Sequence, residues 1–326
     1  KKETPLVPAG RLLGYEEILL RTKDDKNQVR VKLSAWRDSK RSEIRVCETD
    51  AGIRLEGEKF RYLYEKRTGL LSRMSYDGRE YFGKPMELNL WRAPVDNDMY
   101  ISREWRRARY DRACVRAYDT KVRQTASMVE IKSRMAVSAA SVQRMMDVVA
   151  VWVIDNCGGV CVTLSVQRNP EFPPLPRFGL RLFLDRELDW VSYYGLGPYE
   201  NYRDKKRASC HGRYQARVEE LHEDYIRPQE NGSRTDCEYV TISGGGRALA
   251  AIAGETFSFQ ASVYTQEELE AKRHNYELKP SGNTVLCLDY AQYGIGSNSC
   301  GPEVAEPYRF EEETFTFSVK LLPFLI

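Results

Sequence analysis

Histidine is scarce in this chain: His211, His222 and His274 are all that 326 positions supply. A histidine-based metal centre or acid–base site therefore has few candidates. Long apolar runs are missing too. No stretch approaches the ~20 residues that a membrane-crossing helix requires, so no membrane partner is expected. The chain opens Lys1-Lys2-Glu3-Thr4-Pro5, with neither an initiating Met nor an apolar leader run, and that end reveals no compartment. Excess charge of one sign is absent: 50 Lys and Arg oppose 47 Asp and Glu, a net of +3. A nucleic-acid reader shows a broad basic face. Here the basic run Arg103–Arg109 is interrupted by Glu104 and followed by Asp111, which suits a solvated strand or helix edge. No nucleic-acid partner is expected.

The eight cysteines form no framework. Cys157 and Cys161 are the one close pair, and no second pair or histidine at ligand spacing follows, so no metal site is expected. A chain of this length buries enough core to need no disulfide staples. Reduced thiols, and with them a cytoplasmic setting, are the expectation. Also missing is any alternation of strand and helix, which excludes a (β/α)8 barrel.

What the chain does contain is ordinary globular composition, 42% hydrophobic and 30% charged, with aromatics at 11%. Flat rings pack on pleated sheets or stack on sugars, and strands are the commoner host. Periodicity agrees. Val29–Leu33, Ile44–Val46 and Ile53–Leu55 alternate apolar and polar residues, as half-buried strands do. Phe60 to Phe82 predicts a meander with turns at Lys66–Gly69 and Tyr76–Arg79, the second carrying Asp77-Gly78, a hairpin signal. Val148–Ile154 and Val160–Val166 predict a hairpin in the middle of a sheet. Later strands are expected at Phe178–Leu184, Ala248–Ala253, Val285–Leu288 and Phe315–Leu321. One helix is expected, from the capping pattern Thr265-x-x-Glu268 to about His274. The Pro-rich stretch Glu171–Pro176 is expected to join strands rather than domains. A large antiparallel β-sandwich follows, with a boundary near residue 50: residues 1–50 are too few for a core, and 51–326 form the main domain.

Four polar loops punctuated by Gly and Pro exceed what a plain sandwich needs. They are Asn89–Asp98, Tyr193–Asp204, Tyr225–Gly232 and Tyr293–Pro302. Asp96 and Asp98 could pair as carboxylates or hold a cation, but closely spaced Asp residues in a turn usually bind that turn's own N–H groups. Gly195-x-Gly197 lacks the helix and Lys of a phosphate loop. Small and amide-bearing residues at loop tips suit a polar ligand such as a sugar, or simply a tight connection.

Taken together, these blocks resemble the small-chain, or C-terminal, domain of β-galactosidases of the second glycoside hydrolase family. Arg92-Ala93-Pro94-x-Asp96-Asn97-Asp98, Gly197-Pro198-x-Glu200-Asn201-Tyr202-x-Asp204, Pro228-x-Glu230-Asn231-Gly232 and Gly294-x-Gly296 through Pro302 are similar to that family's motifs, in the same order. Pro8–Glu16 resembles the end of the immunoglobulin-like domain that precedes it. The resemblance implies an all-β, galactose-mutarotase-like supersandwich after an immunoglobulin-like fragment. It also implies that the catalytic glutamates, and the magnesium and sodium of the full enzyme, belong to a barrel outside this sequence. Retaining hydrolysis needs two carboxyls about 5–5.5 Å apart, and no catalytic residue and no cofactor is assigned here.

The expected role is accessory, closing the active-site mouth for hydrolysis of terminal β-D-galactosides and supporting assembly. The catalytic barrel and a galactoside are the implied partners, a homo-oligomer is open, and the chain is expected to be inactive alone. Ser297, Asn298 and Cys300 are assigned to the mouth. Arg92, Asp96, Asp98, Glu200, Asn201, Asp204, Glu230 and Asn231 are assigned to a polar loop network, structural more than catalytic. Cys300 stands where the family carries a Trp that stacks on the second sugar, so stacking from this position is lost. Its thiol is expected to be buried and structural. Two alternatives remain. A carbohydrate-binding module would use Trp91, Trp190, Tyr199 and Tyr202 as stacking faces. An aldose 1-epimerase would need an acid and a base drawn from Glu and the three histidines, with His211 and His222 placed in polar loops and His274 at a helix end.

Overall fold

A computed structural model describes residues 2–11, 14–18 and 43–326. The strand expected at 29–33 lies outside the described residues. The chain divides into two compact units, Lys1–Ser39 and Lys40–Ile326. In the first, Thr4 and Val7 exchange backbone hydrogen bonds across a turn. The second begins ahead of the boundary expected near residue 50, because the strand predicted around Ile44 pairs forward into the sheet that follows it.

That sheet has five antiparallel strands in chain order: β1 (Arg45–Glu48), β2 (Gly52–Glu56), β3 (Phe60–Glu65), β4 (Leu70–Tyr76) and β5 (Arg79–Glu80). The predicted meander is therefore present. Asp77 and Gly78 both take positive φ, 50° and 74°, as the tight turn before β5 demands. Phe82 does not continue the meander. It opens β6 (Phe82–Asn89), which crosses to a larger sheet.

The larger sheet adds β7 (Cys114–Gln124), β8 (Met128–Ser138), β9 (Met146–Asp155), β10 (Val160–Arg168), β11 (Arg177–Asp185) and β12 (Trp190–Gly197). It continues with β13 (Cys210–Arg217), β14 (Arg234–Gly244), β15 (Arg247–Ser262), β16 (Asn283–Gln292) and β17 (Thr314–Leu325). Its main path runs β13-β12-β14-β15-β17-β10-β9-β8-β7. The sheet forks at β15, the longest strand. Arg247–Ala253 pairs with β17, while Ser258–Ser262 pairs with β16, which leads on to β11 and β6. The two arms face each other: Phe178 of β11 meets Phe315 of β17 edge-on at 5.0 Å, and Tyr290 of β16 stacks on Phe315 at 4.7 Å. The all-β sandwich expected from alternation is the fold found.

The five-stranded sheet packs against β8, β9 and the turn that follows β9. Along β9 every second residue, from Met146 through Ile154, is buried. Polar tips in this interface are matched, as buried groups must be. Tyr62 donates to the Gly158 carbonyl (2.5 Å), Tyr64 shares a 2.7 Å hydrogen bond with Ser133, and Trp152 Nε1 donates to the Gly69 carbonyl (3.1 Å).

Two α-helices lie among the described residues, α1 (Ile101–Arg107) and α2 (Gln266–Ala271), beside short 3-10 turns. In α2 the Thr265 hydroxyl accepts from the Glu268 amide at 3.2 Å, the cap the sequence predicts. It ends at Ala271, short of His274, which starts a separate turn instead. The basic run proves to be helix α1. It gave no helical signal because only Ser102 and Trp105 are buried on it, too few for a periodic apolar face. No helix among the described residues is long and apolar enough to cross a membrane.

Trp152 joins the two sheets, so Trp152→Ala is expected to cost about 3–5 kcal/mol. Urea unfolding followed by tyrosine fluorescence reads this as a lowered midpoint. An unchanged midpoint would remove Trp152 from the packing argument.

Candidate functional site

The four motif loops leave the sandwich from β6, β12 and β16 and enter it at β14. They converge on one cavity of about 320 Å³. The first loop lines it with Val95, Asp96 and Asn97, and the second with Glu200, Tyr202 and Lys205. The third contributes Tyr225, Gln229 and Glu230, and the fourth Ile295 and Ser299.

Buried guanidinium groups hold the loops together. Arg92, fully buried, donates through Nη2 to Asp98 Oδ1 at 2.7 Å and to the Gly294 carbonyl at 3.1 Å, and through Nη1 to the Tyr293 carbonyl. Asp98 also accepts from the Val95 amide at 3.0 Å, which is the turn-binding role expected of it. Asp96 is different: it is exposed, 3.8 Å from Arg227, and its backbone amide donates to Gln229. Glu200 accepts from Tyr225 (2.5 Å), Lys205 (3.2 Å), Tyr202 (3.3 Å) and the Gly232 amide (2.9 Å), clamping the second loop to the third. Asn201 accepts from both the amide and the hydroxyl of Thr235, and the Asn231 side chain bridges the Glu223 amide and the Gln229 carbonyl.

The mouth segment is pinned at its base. Asp204 accepts from the Ile295 and Gly296 amides at 2.9 and 2.7 Å. Asn97, which the sequence reading had not singled out, donates to the Gly296 carbonyl at 2.6 Å and accepts from the Ser299 hydroxyl at 2.8 Å. Beyond this base the tip turns back through Gly301, whose amide donates to the Ser297 carbonyl at 2.8 Å. Ser297 and Cys300 are exposed and Asn298 half-buried. The expectation of a buried Cys300 is therefore wrong. The turn carries residue 300 outward, and a small thiol has no apolar bulk to fold it back.

The stacking faces divide. Trp91 and Tyr202 are buried, whereas Trp190 and Tyr199 are exposed. No histidine lines the cavity. His211 lies within β13 rather than in a loop.

Residues 56–321 match the family described as Beta galactosidase small chain. The chain belongs to that family. A β-galactosidase from Actinobacillus pleuropneumoniae is 37% identical over 319 residues, 98% of this chain and 31% of the relative. One from Staphylococcus xylosus is 32% identical over 310 residues, 95% of this chain and 30% of the relative. The chain thus spans about a third of the length of these relatives, as 31% and 30% show. Among solved structures, a galactose 1-epimerase from Lactobacillus acidophilus NCFM matches with a TM-score of 0.49 and 10% identity, covering 88% of this chain and 99% of its own.

In this small-chain domain the loops rest on a second buried guanidinium. Arg177 of β11 donates to Asp289 of β16 at 2.9 Å, to Gln260 of β15 at 3.3 Å, and lies 3.2 Å from Glu230 Oε1. Gln260 in turn donates to the Asn231 carbonyl at 2.6 Å. Sequence reasoning missed Arg177, Gln260 and Asp289. The available signal was a charge placed in an otherwise apolar strand, Val285–Asp289. Burial drives the Glu230 carboxyl up to about 7, against the pull of Arg177 and Arg92. Burial also pushes Asp289 up to about 6, again opposed by Arg177. Asp98 is raised by burial although Arg92 opposes it. The Tyr225 phenol is raised by burial and by its bond to Glu200. Among the described residues no cluster of His, Cys, Asp and Glu is arranged to hold a metal ion. The arrangement fixes loops and offers hydrogen bonds. Glu200 and Glu230 are both committed to protein partners.

A carboxyl raised in the folded state makes folding take up protons. Its contribution is full below the unfolded value of about 4.5 and is lost as pH rises through the folded one. For Glu230 that window runs from its ordinary 4.5 to about 7. The chain is therefore expected to melt at a lower temperature at pH 8 than at pH 5 through this group. Glu230→Gln should flatten that slope, and equal slopes in calorimetry for both proteins would refute the assignment.

Proposed function

We propose that this chain closes and shapes the active-site mouth of a β-galactosidase, whose bond-breaking carboxyls reside on a barrel portion that binds this domain. The observation that carries the reading is the convergence of all four family motifs on one cavity, with the mouth segment fastened at its base by Asp204 and Asn97. A fixed base with an exposed tip suits a loop that meets something outside this chain. The long share of the relatives that this chain does not span is where the barrel belongs. Magnesium and sodium, which the family resemblance implies for the full enzyme, are assigned to that barrel in this reading.

The substrate in this reading is a terminal β-D-galactoside. Cys300 offers it no aromatic face, so the second sugar is held less tightly and lactose loses its advantage over simpler galactosides. The eight free thiols support a cytoplasmic setting. Assembly into homo-oligomers is compatible with the reading and is not required by it.

Hydrolysis of a chromogenic β-galactoside tests the proposal. The chain alone is expected to give no turnover, and mixing with the barrel portion should restore it. Asp204→Ala frees the mouth segment and should lower the restored kcat/KM on the order of 10- to 100-fold, as a misplaced positioning group does. Turnover by the repurified chain alone would overturn the proposal.

A further inference from the structure

We propose that the motif-loop end of this domain is a protein-docking face, on which the barrel portion of the longer enzyme seats around the mouth. This assignment rests on the mouth-closing reading and deepens it, naming the side chains that meet the partner. Those side chains are apolar, exposed and gathered at one end of the fold.

Exposed apolar residues scattered singly need no explanation, but here every motif loop carries or adjoins one. Met99 and Tyr100, both exposed, directly follow the first loop. Tyr199, also exposed, stands in the second loop, and Ile226, 78% exposed, in the third. Tyr276, 81% exposed, follows Asn275, whose amide donates to the Ile226 carbonyl at 3.0 Å. Tyr308 adjoins the fourth loop, its carbonyl accepting from the Gly294 amide at 2.9 Å. None of these six lines the cavity between the loops. Two of the rings are held ready. Tyr276 stacks on His274 at 5.2 Å, and the Arg103 guanidinium lies 5.9 Å over the Tyr100 ring. Rings fixed in advance lose less freedom when a partner arrives. Tyr, Met and Arg are also side chains that protein interfaces favour, and Arg227 adds an exposed guanidinium next to Ile226.

Two bodies could cover such a face, the rest of the enzyme or a second copy of this chain. The relatives favour the first. This chain spans 31% and 30% of them, so most of their length remains to be packed against it. A second copy seated face to face would shut both cavities, whereas a mouth has to admit substrate.

Binding of the barrel portion to the 326-residue chain, followed by biolayer interferometry, tests this. Ile226→Asp and Tyr276→Asp are each expected to raise Kd at least about tenfold, as loss of an interface anchor does. Tyr118→Asp, at an exposed position of β7, is the control and should leave Kd unchanged. All three side chains face solvent, so each variant should keep the wild-type urea midpoint. With the barrel portion in saturating excess, kcat for the chromogenic galactoside should match wild type. A lowered kcat at saturation would place these residues in the mouth itself and overturn the docking assignment. Wild-type affinity in both loop variants would overturn it too, and would leave the mouth-closing reading standing. Tight binding without restored turnover would sink the mouth-closing reading and keep the face. No binding by the wild-type chain would overturn both. Sedimentation showing a dimer of the chain alone, broken by the same two variants, would give the face to a second copy and overturn the proposal.

Discussion

Burying the Arg177 guanidinium between two sheet strands and a loop is the constraint on which the motif end of this domain depends. A charge taken out of water is costly unless its partners are close and well aligned. Here the partners come from three places in the chain: Asp289 on β16, Gln260 on β15 and Glu230 on the third loop. The third loop therefore cannot move without exposing or orphaning a charge. Gln260 extends the tie to the Asn231 carbonyl, and Glu200 joins the second loop through the Gly232 amide. One buried ion fixes the relative height of the sheet and two loops.

Arg92 does the same for the other two loops. Its bonds to Asp98 and to the carbonyls of Tyr293 and Gly294 tie the first loop to the base of the fourth. Neither arginine is placed to act on a ligand in solvent, since both are fully buried. What they produce is a rigid floor with a solvated rim. Asp96 and Lys205 project from that rim, and Ser297 and Cys300 lie at the exposed tip above it. A rigid floor lets rim residues vary without disturbing the geometry below, Cys300 among them.

Strand positions were legible because burial on one face leaves period-two alternation, clean in β9 and at the Asp77-Gly78 turn. Helix α1 was not, because two buried residues in seven make no stripe. The site was legible in its loops and hidden in its floor. Asp98, Asp204 and Asn201 stand in Gly- and Pro-marked loops, where a polar residue invites attention, and the structure gives each a backbone partner. Arg177 and Asp289 lie inside strands, and only the three-dimensional pairing shows that their charges meet. Cys300 was misread for a different reason. Burial of a thiol is a statement about average cysteines, whereas exposure at residue 300 follows from the direction of one turn.

Perturbed carboxyls often mark catalytic sites, but structural ion-pair networks perturb them as well. Glu230 shows how geometry separates the two. A general acid must reach its substrate with a proton it can release, and must have room to reload it from solvent. Glu230 is raised to about 7, which alone would suit that task. Its charge is nevertheless paired with Arg177, and its neighbour Glu200 is held as an acceptor by four donors. Protonation of Glu230 would weaken the tie that positions the third loop. Proton transfer and loop fixation thus compete for the same carboxyl, and the number of bonds committed to fixation decides the matter. The carboxyls at this cavity are bound up in holding loops in place, and in the proposed reading chemistry on a glycosidic bond is assigned to carboxyls elsewhere.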